Sequence, residues 1–165
     1  MRLLYIKPKQ QHDLIKDDSI EIVRFRPTLF KLFYKGERLS MAKIAFRLLY
    51  SLLSSRGIWI FCAIKNGTVA HSSVVMTKSL KYPDITEKDY VIGPCETYVE
   101  YRGQGLYGYV LKTIMNELGT DDTNFYMIVN ENNPSSIRGI EKAGFDLCGS
   151  VSTSGIIKKY TFVRK

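Results

Sequence analysis

Apolar positions along the chain change period several times, and each change predicts an element. Residues 2–6, "RLLYI", are a short apolar run that reads as a first strand. Residues 19–27, "SIEIVRFRP", alternate and stop at a proline, which predicts a second strand or hairpin arm. From Ser40 the period lengthens to that of a helix, with Met41, Ile44, Ala45, Leu48, Leu49, Leu52 and Leu53 on one face. Ser40 can cap this helix and Gly57 stops it, so it is expected over about residues 41–55 with its apolar face on a sheet. Two β-rich runs in "IWIFCAIKNGTVAHSSVVM" flank Asn66-Gly67, a strong hairpin signal. Alternation along the second run puts Val69, His71 and Ser73 on one face. "YVIGPCETYV", residues 90–99, predicts a strand whose Gly93-Pro94 forbids a regular ladder and implies a bulge or a splayed strand. A helix follows from Gly105 to Leu118, then a strand at 124–130, a helix closed by Gly144, and two strands around Ser154-Gly155. The order is that of an α/β chain with a mixed sheet.

At 165 residues the chain is expected to be a single domain, 1–165, with no linker-like stretch to divide it. Its longest apolar run, residues 58–64, falls far short of the ~20 residues that span a bilayer, and the amino terminus does not read as a signal peptide. No stable membrane insertion is expected. Cys62, Cys95 and Cys148 are odd in number, widely separated and without metal-ligand spacing. They fit a reducing, cytoplasmic setting, and neither a disulfide scaffold nor a metal site is expected.

The net charge of +8 favours an anionic partner, and 12 of the 24 basic residues lie in the first 56 positions. No nucleic-acid motif accompanies that charge, so a nucleic-acid-binding module is the weaker reading and nucleic acid is not an expected partner. In "RFRPTLFKLFYKGER" the basic and aromatic residues interleave. That segment either grips an anionic, ring-bearing small molecule or, more simply, buries Phe25, Leu29, Phe30 and Phe33 under a basic rim. Lys43 and Arg47 on the first helix leave a third option, contact with a membrane surface.

The densest chemical signal is "YRGQGLYG", placed between a strand and a helix. A helix amino terminus carries unpaired N–H groups and about half a positive charge. Gly103, Gly105 and Gly108 would let an anion approach that backbone, and Arg102 adds a charge. The stretch is neither a P-loop nor a complete dinucleotide fingerprint, since neither Gly-Lys-Ser/Thr nor the acidic partner about 20 residues on is present.

This stretch resembles the acetyl-CoA signature of the GNAT acyltransferases, Arg/Gln-x-x-Gly-x-Gly/Ala, through Arg102 and Gly105. A second GNAT-like signature follows in "NPSSIRGIEKAGF", carried by Asn133, Ser136, Glu141, Lys142, Gly144 and Phe145. The resemblance is close over about residues 90–147 and slight before 57. It is fainter to a GNAT branch found among surface-polysaccharide genes. It implies a mixed, mostly antiparallel central sheet with helices on both faces and a splayed strand at the cofactor site. Residues 57–165 would form the cofactor-binding core and 1–56 a variable acceptor side.

By the same resemblance, acetyl-CoA is the co-substrate. Thr97, Tyr98 and Val99 would pair with the pantetheine arm. Gly103, Gln104, Gly105, Leu106, Tyr107 and Gly108 would hold the pyrophosphate beside Arg102, and Asn133 and Ser136 would meet its far side. Two positions depart from the family pattern: Tyr107 replaces a small residue, and Ile140 stands where many relatives have an acidic tyrosine.

Acyl transfer to an amine needs a neutral amine and a stabilised thiolate. Glu96, His71 and Tyr98 are the catalytic candidates: Glu96 as a base through water, His71 as a base near neutrality, Tyr98 as an acid. Each has a structural alternative, as a strand residue or core polar group. Cys95 and Cys148 read as small buried hydrophobes rather than nucleophiles. The expected function is acetyl transfer to an amine of a small molecule, such as an amino sugar or nucleotide sugar, by direct attack in a ternary complex. The alternative is a non-catalytic, regulatory CoA-binding protein. The terminal "IIKKYTFVRK" offers a strand edge for a homodimer.

Overall fold

The computed structural model describes residues 1–8, 17–53, 57–155 and 159–164. Eight strands and three α-helices alternate along it: β1 (Arg2–Pro8), β2 (Ile20–Phe25), α1 (Met41–Leu53), β3 (Ile58–Lys65), β4 (Thr68–Met76), β5 (Tyr90–Thr97), α2 (Leu106–Leu118), β6 (Asn124–Asn130), α3 (Pro134–Lys142), β7 (Asp146–Ser154) and β8 (Lys159–Arg164). All strands join one sheet in the order β2-β3-β4-β5-β6-β1-β7-β8. Every neighbouring pair is antiparallel except β5 and β6, which run parallel. The mixed, mostly antiparallel sheet expected from the sequence is the one observed.

Alternation along each strand feeds a core on either face. One face buries Tyr5, Phe61, Val75, Ile92, Phe125 and Met127 against Leu106, Val110, Leu111 and Ile114 of α2 and Ile140 of α3. The other buries Leu4, Ile58, Ile60, Cys62, Val74 and Tyr126 with Tyr50 of α1. At about 25 cal/mol per Å² of apolar surface, these two layers are the main source of stability.

Asn66 and Gly67 turn the β3–β4 hairpin with φ of 52° and 70°, the left-handed pair that a type I′ turn requires. β5 carries the expected irregularity at Gly93-Pro94, whose peptide is cis. Between the pairs Val75↔Ile92 and Ser73↔Cys95, β5 holds one residue more than β4, which is a bulge. On its other edge β5 pairs with β6 only at Tyr90, Val91 and Ile92. Beyond Ile92 the two parallel strands part, and the gap opens toward the amino terminus of α2.

Four expectations change. β1 and β2 do not form a hairpin: β1 lies between β6 and β7, while β2 is an edge strand on β3. The predicted apolar face of α1 does not pack on the sheet, because Met41, Leu49 and Leu52 are 79%, 54% and 65% exposed. The helix instead turns Phe46, Arg47 and Tyr50 inward, and Arg47 is buried because Glu37 neutralises it through hydrogen bonds of 2.8 and 2.6 Å. Leu29, Phe30 and Phe33 are exposed and only Phe25 of that set joins the core, so the rim-and-core reading of this segment fails. Finally, β4 has an extra residue opposite Ala63 and Ile64, so Val69 and His71 fall on opposite faces. The expected end of α1, residues 54–55, and part of the carboxy-terminal stretch lie outside the described residues.

Candidate active site

The parting of β5 from β6 leaves a cavity of about 870 Å³ floored by β4 and β5 and walled by α1, α2 and α3. On one side stands the loop 102–108. Gly105 caps α2 with φ 76°, a conformation that costs a side-chain-bearing residue about 1 kcal/mol or more. The N–H groups that open α2 therefore face the cavity without helical partners. Arg102 braces the loop by donating from Nε to Thr97 O at 3.1 Å, and Gln104 accepts from Lys65 Nζ at 2.8 Å. A few residues into α2 and at the end of α3, Lys112 and Lys142 also line the cavity. Asn133 caps α3, accepting from the Ser136 N–H at 3.2 Å, and both residues are in the wall. An open backbone cradle with Arg102, Lys112 and Lys142 around it fits the phosphates of a coenzyme A.

Tyr107 departs from the family pattern in a way the fold accommodates. Its ring lies where a Cβ on Gly139 would be, 2.5 Å from that ideal position, so the absent side chain of Gly139 makes room for it. The phenol reaches Cys95 on β5, and burial raises its pKa, so it stays a hydrogen-bond donor. Burial likewise pushes the Cys95 thiol up to about 11, and a protonated thiol is a poor nucleophile.

The catalytic candidates part company. Glu96 lines the cavity from β5 and forms an ion pair with Lys43, which reaches across from α1. His71 on β4 also lines the cavity but has no exposed surface; Nδ1 is 2.7 Å from Thr97 Oγ1 and Nε2 2.7 Å from Ser73 Oγ. Desolvation lowers its pKa to about 4, which keeps the ring neutral and a weak base at pH 7.

Tyr98 is absent from the cavity wall. It is buried in the opposite layer, its N–H donates to Ala70 O at 3.0 Å, and its hydroxyl accepts from the Arg38 N–H at 2.6 Å. Val99 is also outside the wall and 71% exposed, because the strand ends at Thr97 and Val99–Tyr101 form a 3-10 turn. The remaining expected site residues, Thr97, Arg102 through Gly108, Asn133 and Ser136, meet in the one cavity.

A further wall of the cavity is made by Leu39, Lys43, Phe46 and Arg47; sequence reasoning singles out Lys43 and Arg47 only for a membrane surface and names neither Leu39 nor Phe46. Lys43 gives no local signal, since its partner Glu96 is 53 residues away. Ile140 is 1% exposed and belongs to the core, so it presents nothing to the cavity.

The chain matches no protein-family model and no curated protein sequence. Among solved structures it is similar to an acetyltransferase of the GNAT family from Colwellia psychrerythraea, with a TM-score of 0.60 and 17% identity over 88% of this chain and 52% of that one. It is similar to an IAA acetyltransferase from Bacillus cereus, with a TM-score of 0.57 and 16% identity over 82% and 81% of the two chains. An aminoglycoside acetyltransferase from an uncultured soil metagenomic sample, in complex with trehalose, overlays with a TM-score of 0.50 and 12% identity over 78% and 89%. The chain spans 59%, 52% and 55% of the length of three of the structures it resembles. By its sheet order, its parted β5 and β6 and this likeness, the chain has the fold of the GNAT acetyltransferases.

Proposed function

We propose that the chain is an acetyl-CoA-dependent N-acetyltransferase acting on an amine of a small molecule. One observation carries this reading: the parted strands and the glycine loop at the start of α2 open into the same cavity as Glu96. Acetyl-CoA would supply an acetyl group activated as a thioester. The N–H groups from Gly103 to Gly108, with Arg102, would bind the pyrophosphate, and Asn133 and Ser136 would border its far side. Glu96 takes a proton from the acceptor ammonium, directly or through one water. His71, neutral and fixed between Thr97 and Ser73, positions the end of β5 rather than accepting the proton. The Tyr107 phenol, which reaches Cys95 at the bulge of β5, is a protonated donor suited to stabilise the departing sulfur.

For the acceptor we favour an amino group on a sugar or sugar nucleotide. Supporting it are the basic and exposed aromatic residues of 29–35, which lead into the wall helix α1, and the aminoglycoside acetyltransferase among the similar structures. A second reading, CoA binding without turnover, draws on the Lys43 amine that already occupies Glu96.

Isothermal titration with acetyl-CoA, CoA, NAD and ATP tests the first step. Binding of the two CoA species alone supports the reading, and no binding at high micromolar concentration ends it. Release of free thiol with any amine in an acceptor panel excludes the non-catalytic alternative. Turnover confined to peptide amines excludes the sugar acceptor.

A further inference from the structure

We infer that Lys43 is a site of self-acetylation, modified in cis from the chain's own bound acetyl thioester. The inference rests on the acetyltransferase reading above and goes beyond it. Among the described residues three lysines line the cavity: Lys43, Lys112 and Lys142. Lys112 and Lys142 stand on α2 and α3, the helices that frame the glycine loop, where an ammonium meets phosphate. Lys43 comes from the opposite wall, and its Nζ pairs with Glu96 on β5.

That pairing already has the arrangement an external amine needs: a primary amine in hydrogen-bond contact with the carboxylate that would deprotonate it, at the strand along which the thioester would lie. Both side chains are about two-fifths exposed, 39% and 40%, so the pair can exchange and turn toward the cavity. An amine held on the protein also has the advantage of an intramolecular reaction over any dilute acceptor.

In the transfer, Glu96 takes one proton from the Lys43 ammonium and later yields it to water. The freed lone pair attacks the thioester carbonyl carbon, a C–N bond forms and the C–S bond breaks. The second nitrogen proton goes to the sulfur, so the products are Nε-acetyl-Lys43, a free thiol and one released proton.

The experiment incubates the full chain with acetyl-CoA and no acceptor, then reads intact mass and peptide maps over a dilution series. A parallel thermal titration with CoA reports binding alone. The expected result is one added acetyl group, mapped to Lys43, with a first-order rate that does not change on dilution. Glu96→Gln should slow it about 100-fold or more while retaining the CoA-induced midpoint shift. Lys43→Arg should keep that shift and lose the modification. If CoA raises the midpoint but Lys43 stays unmodified, this inference is overturned and the acetyltransferase reading stands. Self-acetylation in cis is equally overturned if label scatters over exposed lysines as in unfolded chain, or if the rate rises with protein concentration. If CoA leaves the midpoint unmoved, both fall.

Discussion

His71 shows how far the environment of one residue can depart from its residue type. Free histidine titrates near neutrality, but this ring has no exposed surface and both nitrogens are within 2.7 Å of hydroxyl groups. Burial lowers its pKa from 6.5 to about 4. Across that window the unfolded chain binds a proton that the folded chain refuses, so stability is full above the upper value and falls as pH drops toward the lower. At 1.36 kcal/mol per unit the loss approaches about 3 kcal/mol. Urea midpoints of the native chain and of His71→Gln, taken from about pH 7.5 to about pH 4.5, should therefore converge on acidification. Parallel curves would mean that the ring is not held neutral. Alternation alone placed His71 beside Val69, and only the bulge opposite Ala63 and Ile64 turned it toward Tyr107 instead. A bulge of that kind has no reliable local signal, whereas the one at Gly93-Pro94 announces itself through its proline.

At the scale of elements, α1 departs furthest from its apolar pattern. Counting apolar residues chose Met41, Leu49 and Leu52 for the inward face, and all three are exposed. The helix docks through Arg47, which holds Glu37 by two bonds and also donates to Leu32 O at 3.1 Å, while Glu37 accepts from the Tyr34 N–H at 2.7 Å. One ion pair thus ties the 32–37 loop to the helix that walls the cavity. Breaking a buried pair by removing one partner costs about 3–5 kcal/mol, because the other charge stays buried. Glu37→Ala should lower stability by that amount and open residues 28–53 to protease before the rest of the chain. A loss below about 1 kcal/mol would show that Arg47 finds water or another partner. By contrast α2 and α3 were legible in outline: α2 runs from its Gly105 cap to Leu118 as expected, and α3 ends at Lys142, shortly before the Gly144 read as its stop.

For the whole molecule, the sheet order matters more than the succession of elements. The slight family resemblance before residue 57 invites the view that this region only selects the acceptor. Yet β1 is an interior strand, paired with β6 from Arg2 to Pro8 and with β7 from Leu3 to Ile6. It delivers Leu4 to one core and Tyr5 to the other. Removing residues 1–8 should therefore abolish cooperative unfolding, read by circular dichroism and heat, rather than change acceptor preference. A shortened chain that melted cooperatively and still bound CoA would show that β6 and β7 can close the gap. No helix among the described residues is long and apolar enough to cross a membrane.

The sequence by itself determined what depends on neighbours along the chain. Periodicity marked the strands and helices, Asn66-Gly67 the hairpin, Gly93-Pro94 the break in β5, and Gly105 the start of α2. Each is a local backbone requirement, so a few consecutive residues suffice to express it. Only the tertiary structure decided the partners that lie far apart in sequence: β1 between β6 and β7, Arg47 on Glu37, Lys43 on Glu96, and the Tyr107 ring in the space left by Gly139. Pairing energy between distant groups depends on distance and dielectric, which no local pattern encodes.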